Sequence, residues 1–336
     1  MERNAFFDNA KVLLIFLVVF GHMIQPFTSE SHIVNTLYLW IYTFHMPAFI
    51  LLSGFFAKGA SDKGYIAKLA KKLLVPYLIF QILYTLFYFW IGKEGWNTGI
   101  FYPQWSLWFL FSLFSWHILL IGFKKLAPQY GISLAVLIGL LVGYIGDIGH
   151  TFSLSRTLVF FPFFLIGYWL TQKQILMVKR PAVKLVSIFI LIGVGISLAI
   201  APDLNSGWLL ASKSYVDLGL VELGGLARLL VYLTAALMTV SILAWVPQQN
   251  FGWVTDIGRK TLYVYLLHGF FIQWFREKNL FDVSNVLDIT GLAVLSALIV
   301  ILLSSNPIRL ISQPIIECKA SLLKKRWQEN HSQHQL

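Results

Sequence analysis

The sequence predicts an all-α, polytopic membrane helical bundle of about ten transmembrane helices with both termini cytoplasmic, and three observations lead there. Hydrophobic residues fill 57% of the 336 positions and charged ones only 12%, whereas a soluble domain carries about 25% charged residues. The apolar residues gather in runs of about 20, the length that crosses a hydrocarbon core of roughly 30 Å. Lysine and arginine concentrate on one of the two sets of loops that those runs define, as basic cytoplasmic loops do.

Composition also excludes. A single cysteine, Cys318, leaves no internal disulfide framework and no Cys-rich metal site. The formal charge of +11 suits basic cytoplasmic loops on a membrane protein and does not call for nucleic acid. No small-residue cleavage site follows the first apolar run, so that run is expected to act as an uncleaved anchor.

Ten runs qualify, near residues 9–28, 35–57, 72–92, 105–123, 131–147, 154–171, 184–201, 223–245, 260–277 and 287–306. The first, "FDNAKVLLIFLVVFGHMIQPF", bears Asp8, Lys11 and His22. The second contains "TFHMPAFILLSGFF", with His45, Pro47 and Ser53. The third is entered through the lysine-rich loop "AKGASDKGYIAKLAKKLLVPY" and is punctuated by Pro76. The fourth opens on "QWSLWFLFSL", with Trp105 and Trp108 at an interfacial position. The sixth, "SRTLVFFPFFLIGYWL", begins beside Arg156, and the ninth, "GRKTLYVYLLHGFF", holds Tyr265 and His268. The longest outer connection, about residues 202–222, is far below the roughly 50 residues of a small domain. The chain therefore divides into a transmembrane domain, 1–311, and a basic, polar cytoplasmic tail, 312–336.

With the N-terminus inside and the spans alternating, all but six of the 26 Lys and Arg fall on inner segments. The six are Lys93, Arg156, Lys213, Arg228, Arg276 and Lys278.

The first run raises the chemical question. A helix turns 100° per residue, so Lys11 and His22, eleven apart, differ by about 20° around the axis, and Asp8 lies within about 40° of His22. Asp8 and Lys11 can pair at i, i+3. His22 lies about 16 Å beyond Lys11, near mid-membrane if Lys11 marks the cytoplasmic boundary. Such a polar face must turn into the bundle or a cavity, where ionisable groups mark function. The plain alternative is a histidine bonded to a neighbouring helix. His45 and His268 reach similar depths, with the same alternative. Lys68, Lys71 and Lys72 fall within about one turn and can gather phosphates as point charges, or serve only to set topology and attract anionic lipid. Arg156 reads either as part of a site or as a snorkelling anchor. The chain has no GxxxxGK[ST] loop, HExxH or GxSxG motif, which weakens ATP-driven and zinc readings.

Several of these stretches together resemble the acyltransferase-3 family of integral membrane proteins, and most closely its fucose 4-O-acetylase-like branch. "FDNAKVLLIFLVVFGH" resembles the first-span motif, a basic residue and a histidine with ten residues between, with Lys11 where most members have arginine. "FHMPAFILLSGFF", "KKLLVPYLIF", "QWSLWFLFSL", "SRTLVFFPFFLIGYWL" and "IGRKTLYVYLLH" resemble the family's second, third, fourth, sixth and ninth segments. The resemblance implies an O-acyltransferase that moves an acyl group, foremost acetyl, from cytoplasmic acyl-CoA, without a metal, to a hydroxyl of a cell-envelope or extracellular carbohydrate or glycolipid. It implies His22 as the catalytic residue, Lys11 as its partner, and the bacterial plasma membrane as the location. Lysine keeps the charge of arginine but not its bidentate fork. Lys11, Lys68, Lys71 and Lys72 are then expected on the donor. Asp8, His45, Ser53, Trp105, Trp108, Arg156, Tyr265 and His268 are expected around the substrates, with Tyr265, His45 and Trp105 as candidates for the oxyanion. The competing reading is a transporter or flippase of a lipid-linked sugar or small metabolite. It expects broken helices in matched halves, and the sequence shows no such symmetry.

Overall fold

The structure is a computed structural model that describes residues 4–59, 64–93, 99, 102–146, 153–201 and 204–317. Among the described residues there are helices, short 3-10 turns and loops, and no strand. The first run folds as α1, Ala5–Ile24, started by Asn4, whose side chain accepts from the Phe6 amide. An N-cap asparagine satisfies an amide that no earlier turn can reach. The second run makes two helices, α2 (His32–Tyr42) and α3 (His45–Phe55). Pro47 sits in the first turn of α3, where its missing N–H breaks no helical bond.

The remaining helices are α4 (Tyr65–Ile91), α5 (Trp108–Phe123), α6 (Pro128–Leu141), α7 (Leu154–Trp169), α8 (Gln172–Leu176), α9 (Pro181–Ile200), α10 (Gly207–Leu210), α11 (Gly224–Trp245), α12 (Trp253–Ile257), α13 (Thr261–Glu277), α14 (Val286–Leu303) and α15 (Asn306–Ile316). All ten expected runs lie on helices. Seven helical stretches are long and apolar enough to cross a membrane, or eight if α7 is joined to Gln172–Lys179, which bends away by 104°. Of the ten runs, α6 has 14 residues and α13 has 17, fewer than the roughly 20 of a full span. Helix α15 continues through position 312, and Ile316 is buried in the same apolar cluster as Leu73 and Tyr77 of α4. Residues 318–336 of the expected tail lie outside the described residues.

Helix α1 is central and packs against α2, α3, α12, α13 and α14. One face joins Ile15, Val19 and Ile24 to Leu39, Val264 and Ile299. Another joins Phe6, Ala10 and Leu14 to Leu52, Phe55 and Met238. The outward faces of α9 and α14 are apolar too, with Leu185, Phe189, Ile196, Val294 and Leu298 exposed, as a lipid surrounding demands.

Cations collect at the end of the bundle where α1 and α13 start and α3, α7 and α11 finish. Lys11 lies 5.6 Å from the Phe56 ring, Lys58 donates to the Leu170 carbonyl, and Lys179 donates to the carbonyls of Leu243, Ala244 and Val246. The last carbonyls of a helix have no partner within it, and lysines take them here. At this basic end Asn9 donates to the carbonyls of Pro247 and Gln249, at 3.0 and 2.8 Å, and accepts from Thr255 at 2.7 Å. It therefore ties α1 to the turn before α12. Asn9→Ala is expected to cost about 1–3 kcal/mol by leaving these buried groups unpaired, read as a lowered unfolding temperature of the purified protein.

Candidate active site

Histidine 22 occupies the last turn of α1, half-buried. Its backbone carbonyl is one of the orphans of the helix end, and the Arg276 guanidinium from the end of α13 donates to it. The same Nη2 donates to Gln25 Oε1 at 2.8 Å, and Gln25 Nε2 meets the Tyr38 hydroxyl at 3.1 Å. The ring Nδ1 of His22 lies 3.3 Å from the Tyr42 hydroxyl. With Nδ1 donating its proton to Tyr42, Nε2 is the nitrogen that can take one.

Aromatic groups fix the ring from several sides. Trp105 lies 4.4 Å from it and His268 lies 5.7 Å away, centroid to centroid. Trp105 holds a left-handed backbone, φ +43°, unusual for a bulky residue and of the kind that clusters at functional sites. His268 is fully buried, and its Nδ1 faces the carbonyls of Tyr265 and Val264 at 2.7 and 3.1 Å. His45 Nδ1 faces the Ile41 carbonyl at 3.0 Å, across the break between α2 and α3. Carbonyls only accept, so both rings carry the proton on Nδ1.

A cavity of about 180 Å³ starts at His22 and runs toward the basic end. Its walls are Ile15 and Val18 of α1, Met46, Phe49 and Ser53 of α3, Trp108, Phe109 and Leu113 of α5, and Thr261, Leu262 and Tyr265 of α13. Lys11, Ile15, Val18 and His22 are spaced i, i+4, i+7 and i+11, one stripe of a helix. Three of them line the cavity, and Lys11 is not among its walls. The Lys11 ammonium pairs with Asp8 at 2.8 Å, and Arg259 approaches the same carboxylate at 3.9 Å. Beyond the first turn of α13 a wider cleft of about 510 Å³ is lined by Arg259, Lys260, Arg309 and Trp253, among others.

Of the residues expected at the site, His22, Ser53, Trp108 and Tyr265 line one cavity, and Trp105 and His268 lie against the His22 ring without being among its walls. Arg156 stacks on Trp108, 5.1 Å from its ring. His45 reaches the chamber only through Tyr42, 4.4 Å away. The Tyr265 hydroxyl already donates to the Ser106 carbonyl, so its proton is committed. Lys68, Lys71 and Lys72 are exposed on the first turns of α4 and line neither the cavity nor the cleft beyond it. Among the described residues no group of three or more His, Cys, Asp or Glu is placed to hold a metal ion.

Sequence reasoning missed Arg276, Tyr42, Tyr38 and Gln25. Arg276 had been counted only as an outer-side cation. Tyr38, Tyr42 and His45 are spaced i, i+4 and i+7, one helical stripe, and that polar stripe was the signal available. Tyr42→Phe is expected to lower kcat about tenfold with little change in KM, because a net hydrogen bond contributes about 0.5–1.5 kcal/mol. Steady-state kinetics of the purified variant checks this.

Three comparisons bear on what the chamber does. The family model described as an acyltransferase domain matches residues 4–305. The nodulation protein NolL of Sinorhizobium fredii (strain NBRC 101917 / NGR234) is 27% identical over 188 residues, 51% of this chain and 50% of that protein. The nodulation protein NolL of Mesorhizobium japonicum is 33% identical over 93 residues, 25% of each. The chain spans about half the length of the first of these curated relatives and about a quarter of the second. No solved structure matches.

Proposed function

The chain belongs to the acyltransferase family whose domain model spans residues 4–305, and from that premise we propose a membrane-embedded O-acyltransferase with His22 as general base. The donor is acyl-CoA, foremost acetyl-CoA, reaching the bundle from a cytoplasmic basic end. The acceptor is a hydroxyl of a cell-envelope carbohydrate or glycolipid arriving from the opposite side of a bacterial plasma membrane. One observation carries this reading: His22 lines a largely apolar cavity walled by α1, α3, α5 and α13 that extends toward the basic end.

The chemistry follows from that geometry. The acyl-thioester end of a pantetheine arm suits the apolar walls, and the phosphates of the donor suit the cleft at Arg259, Lys260 and Arg309. The exposed Lys68, Lys71 and Lys72 remain as an outer attraction for the same charge. Lys11, held by Asp8, contributes positive potential on that route. The acceptor hydroxyl forms the new C–O bond as the C–S bond breaks. His22 Nε2 takes the hydroxyl proton and returns it to the leaving thiolate. A neutral imidazole accepts a proton on one ring nitrogen and can give it up again, so it serves both steps.

The test is to reconstitute the full chain in vesicles with acetyl-labelled acetyl-CoA on one face and a glycan acceptor on the other. Label on the glycan supports the enzyme. Glycan crossing the bilayer with no label on it supports transport instead.

A further inference from the structure

Away from the basic end, near His22 but outside the walls of its cavity, lie two guanidinium groups that the chemistry above does not use: Arg156 over the Trp108 ring and Arg276 on the His22 carbonyl. Neither Arg156 nor Arg276 has a carboxylate partner among the described residues, where the ion pairs recorded join Lys11 and Arg259 to Asp8 and Asp256. Arg156 is half-buried against the Trp108 ring and makes no hydrogen bond among the described residues. Arg276 spends Nη2 on the His22 carbonyl and Gln25, while its Nε is buried without a partner. Both lie within electrostatic reach of the Tyr38 and Tyr42 hydroxyls, so they flank the group that holds the His22 ring.

Uncompensated charge inside a membrane protein is expensive, and buried cations are ordinarily paired. Arg228, also without a carboxylate partner and with its Nε likewise buried and unbonded, gives Nη1 to the Trp208 carbonyl and lies over that ring, away from His22. Near His22, the five N–H donors of Arg156 and the Nε–H of Arg276 have no hydrogen-bond partner among the described residues. A guanidinium fork matches the oxygens of a phosphate or a carboxylate. Beside Arg276 lies a cleft of about 250 Å³, lined by Gln25 and Asn279 and by the rings of Phe27, Phe275 and Phe281. That is below the roughly 300–1,000 Å³ of a drug-sized site, room for a single ring.

We propose that Arg156 and Arg276 hold an anionic group of the acceptor, a phosphate or a carboxylate, beside the hydroxyl that His22 activates. The word acceptor rests on the acyl-transfer function proposed above; the anion site does not. The negative charge anchors the acceptor from the side opposite the donor and fixes which hydroxyl reaches His22 Nε2. A neutral sugar would leave both guanidinium groups uncompensated.

The test is binding, read from tryptophan fluorescence of the full chain in neutral-lipid nanodiscs, since Trp108 lies under Arg156 and Trp105 beside Arg276. The probes are glucose, glucuronate, glucose 1-phosphate and a short-chain prenyl diphosphate. At least one of the three charged probes is expected to bind about tenfold or more tightly than glucose, the scale of a hydrogen bond to a charged group. Arg156→Gln is expected to erase the difference, and Arg156→Lys to keep part of it with the fold undisturbed. Binding of the charged sugars places the anion on the glycan unit, and binding of the prenyl diphosphate alone places it on a lipid carrier. Equal affinity for glucose and all charged probes, or charged-probe binding unchanged in Arg156→Gln, overturns the proposal. A protein that binds the anions but never acylates an acceptor loses the enzymatic function and keeps this site. Acylation of neutral and charged acceptors with equal efficiency does the reverse.

Discussion

Replacing His22 by alanine is expected to lower the acyl-transfer rate by about 10²–10⁴-fold, the range that a positioned general base contributes. The fold should survive the change. Arg276 grips the backbone carbonyl of His22, not its ring, and His22 lines a cavity rather than the packed core. His22→Gln separates two effects: it keeps a polar side chain near Tyr42 but cannot take a proton. Both variants should therefore fall to a similar residual rate, while donor binding, measured separately, stays near the wild-type value. A drop of less than tenfold in either variant would assign the proton transfer to another group.

The largest expected effect on stability belongs to the contact between α3 and α7. A Cβ built on Gly54 would meet the Phe164 carbonyl, and one on Gly167 would meet the Leu51 carbonyl. Each glycine thus faces backbone of the other helix. Small residues let membrane helices approach this closely. Overpacking typically costs about 1–3 kcal/mol, and here the obstacle is backbone on both sides, which cannot rotate aside. Gly54→Val and Gly167→Val are each expected at or above the top of that range. Because α3 also supplies Met46, Phe49 and Ser53 to the cavity wall, activity should fall with stability. A variant that unfolds at the wild-type temperature would show that the helices can separate without loss.

The bundle was legible in the sequence because lipid enforces a simple rule: an apolar run must be long enough to cross, and its cations choose a side. That rule reads length poorly where a helix carries polar work. Helix α13 is 17 residues long and holds His268 and Arg276, and it is not among the seven or eight stretches long and apolar enough to cross a membrane. His22 was legible for the same physical reason, since a polar group on an apolar helix must turn inward. The stripe from Lys11 to His22 is present, but Ile15 and Val18 between them are the cavity wall. Arg276 was not legible, because its bond to the His22 carbonyl joins residues 254 positions apart. Periodicity along one helix says nothing of such pairs. The lysines of α4 drew attention as a local cluster, whereas the cations lining a cleft, Arg259, Lys260 and Arg309, are assembled from two separate stretches.

The account stands on the route of the donor, and photolabelling tests that route directly. The probe is an acyl-CoA carrying a diazirine on its acyl group, added from the basic side of the reconstituted protein and mapped by peptide mass spectrometry. Labels are expected on the segments that line the cavity, around Ile15–Val18, Phe49–Ser53, Phe109–Leu113 and Thr261–Tyr265, and should be displaced by unlabelled acyl-CoA. Labels confined to the exposed start of α4 or to the lipid-facing side of α9, with none in the cavity, would contradict it.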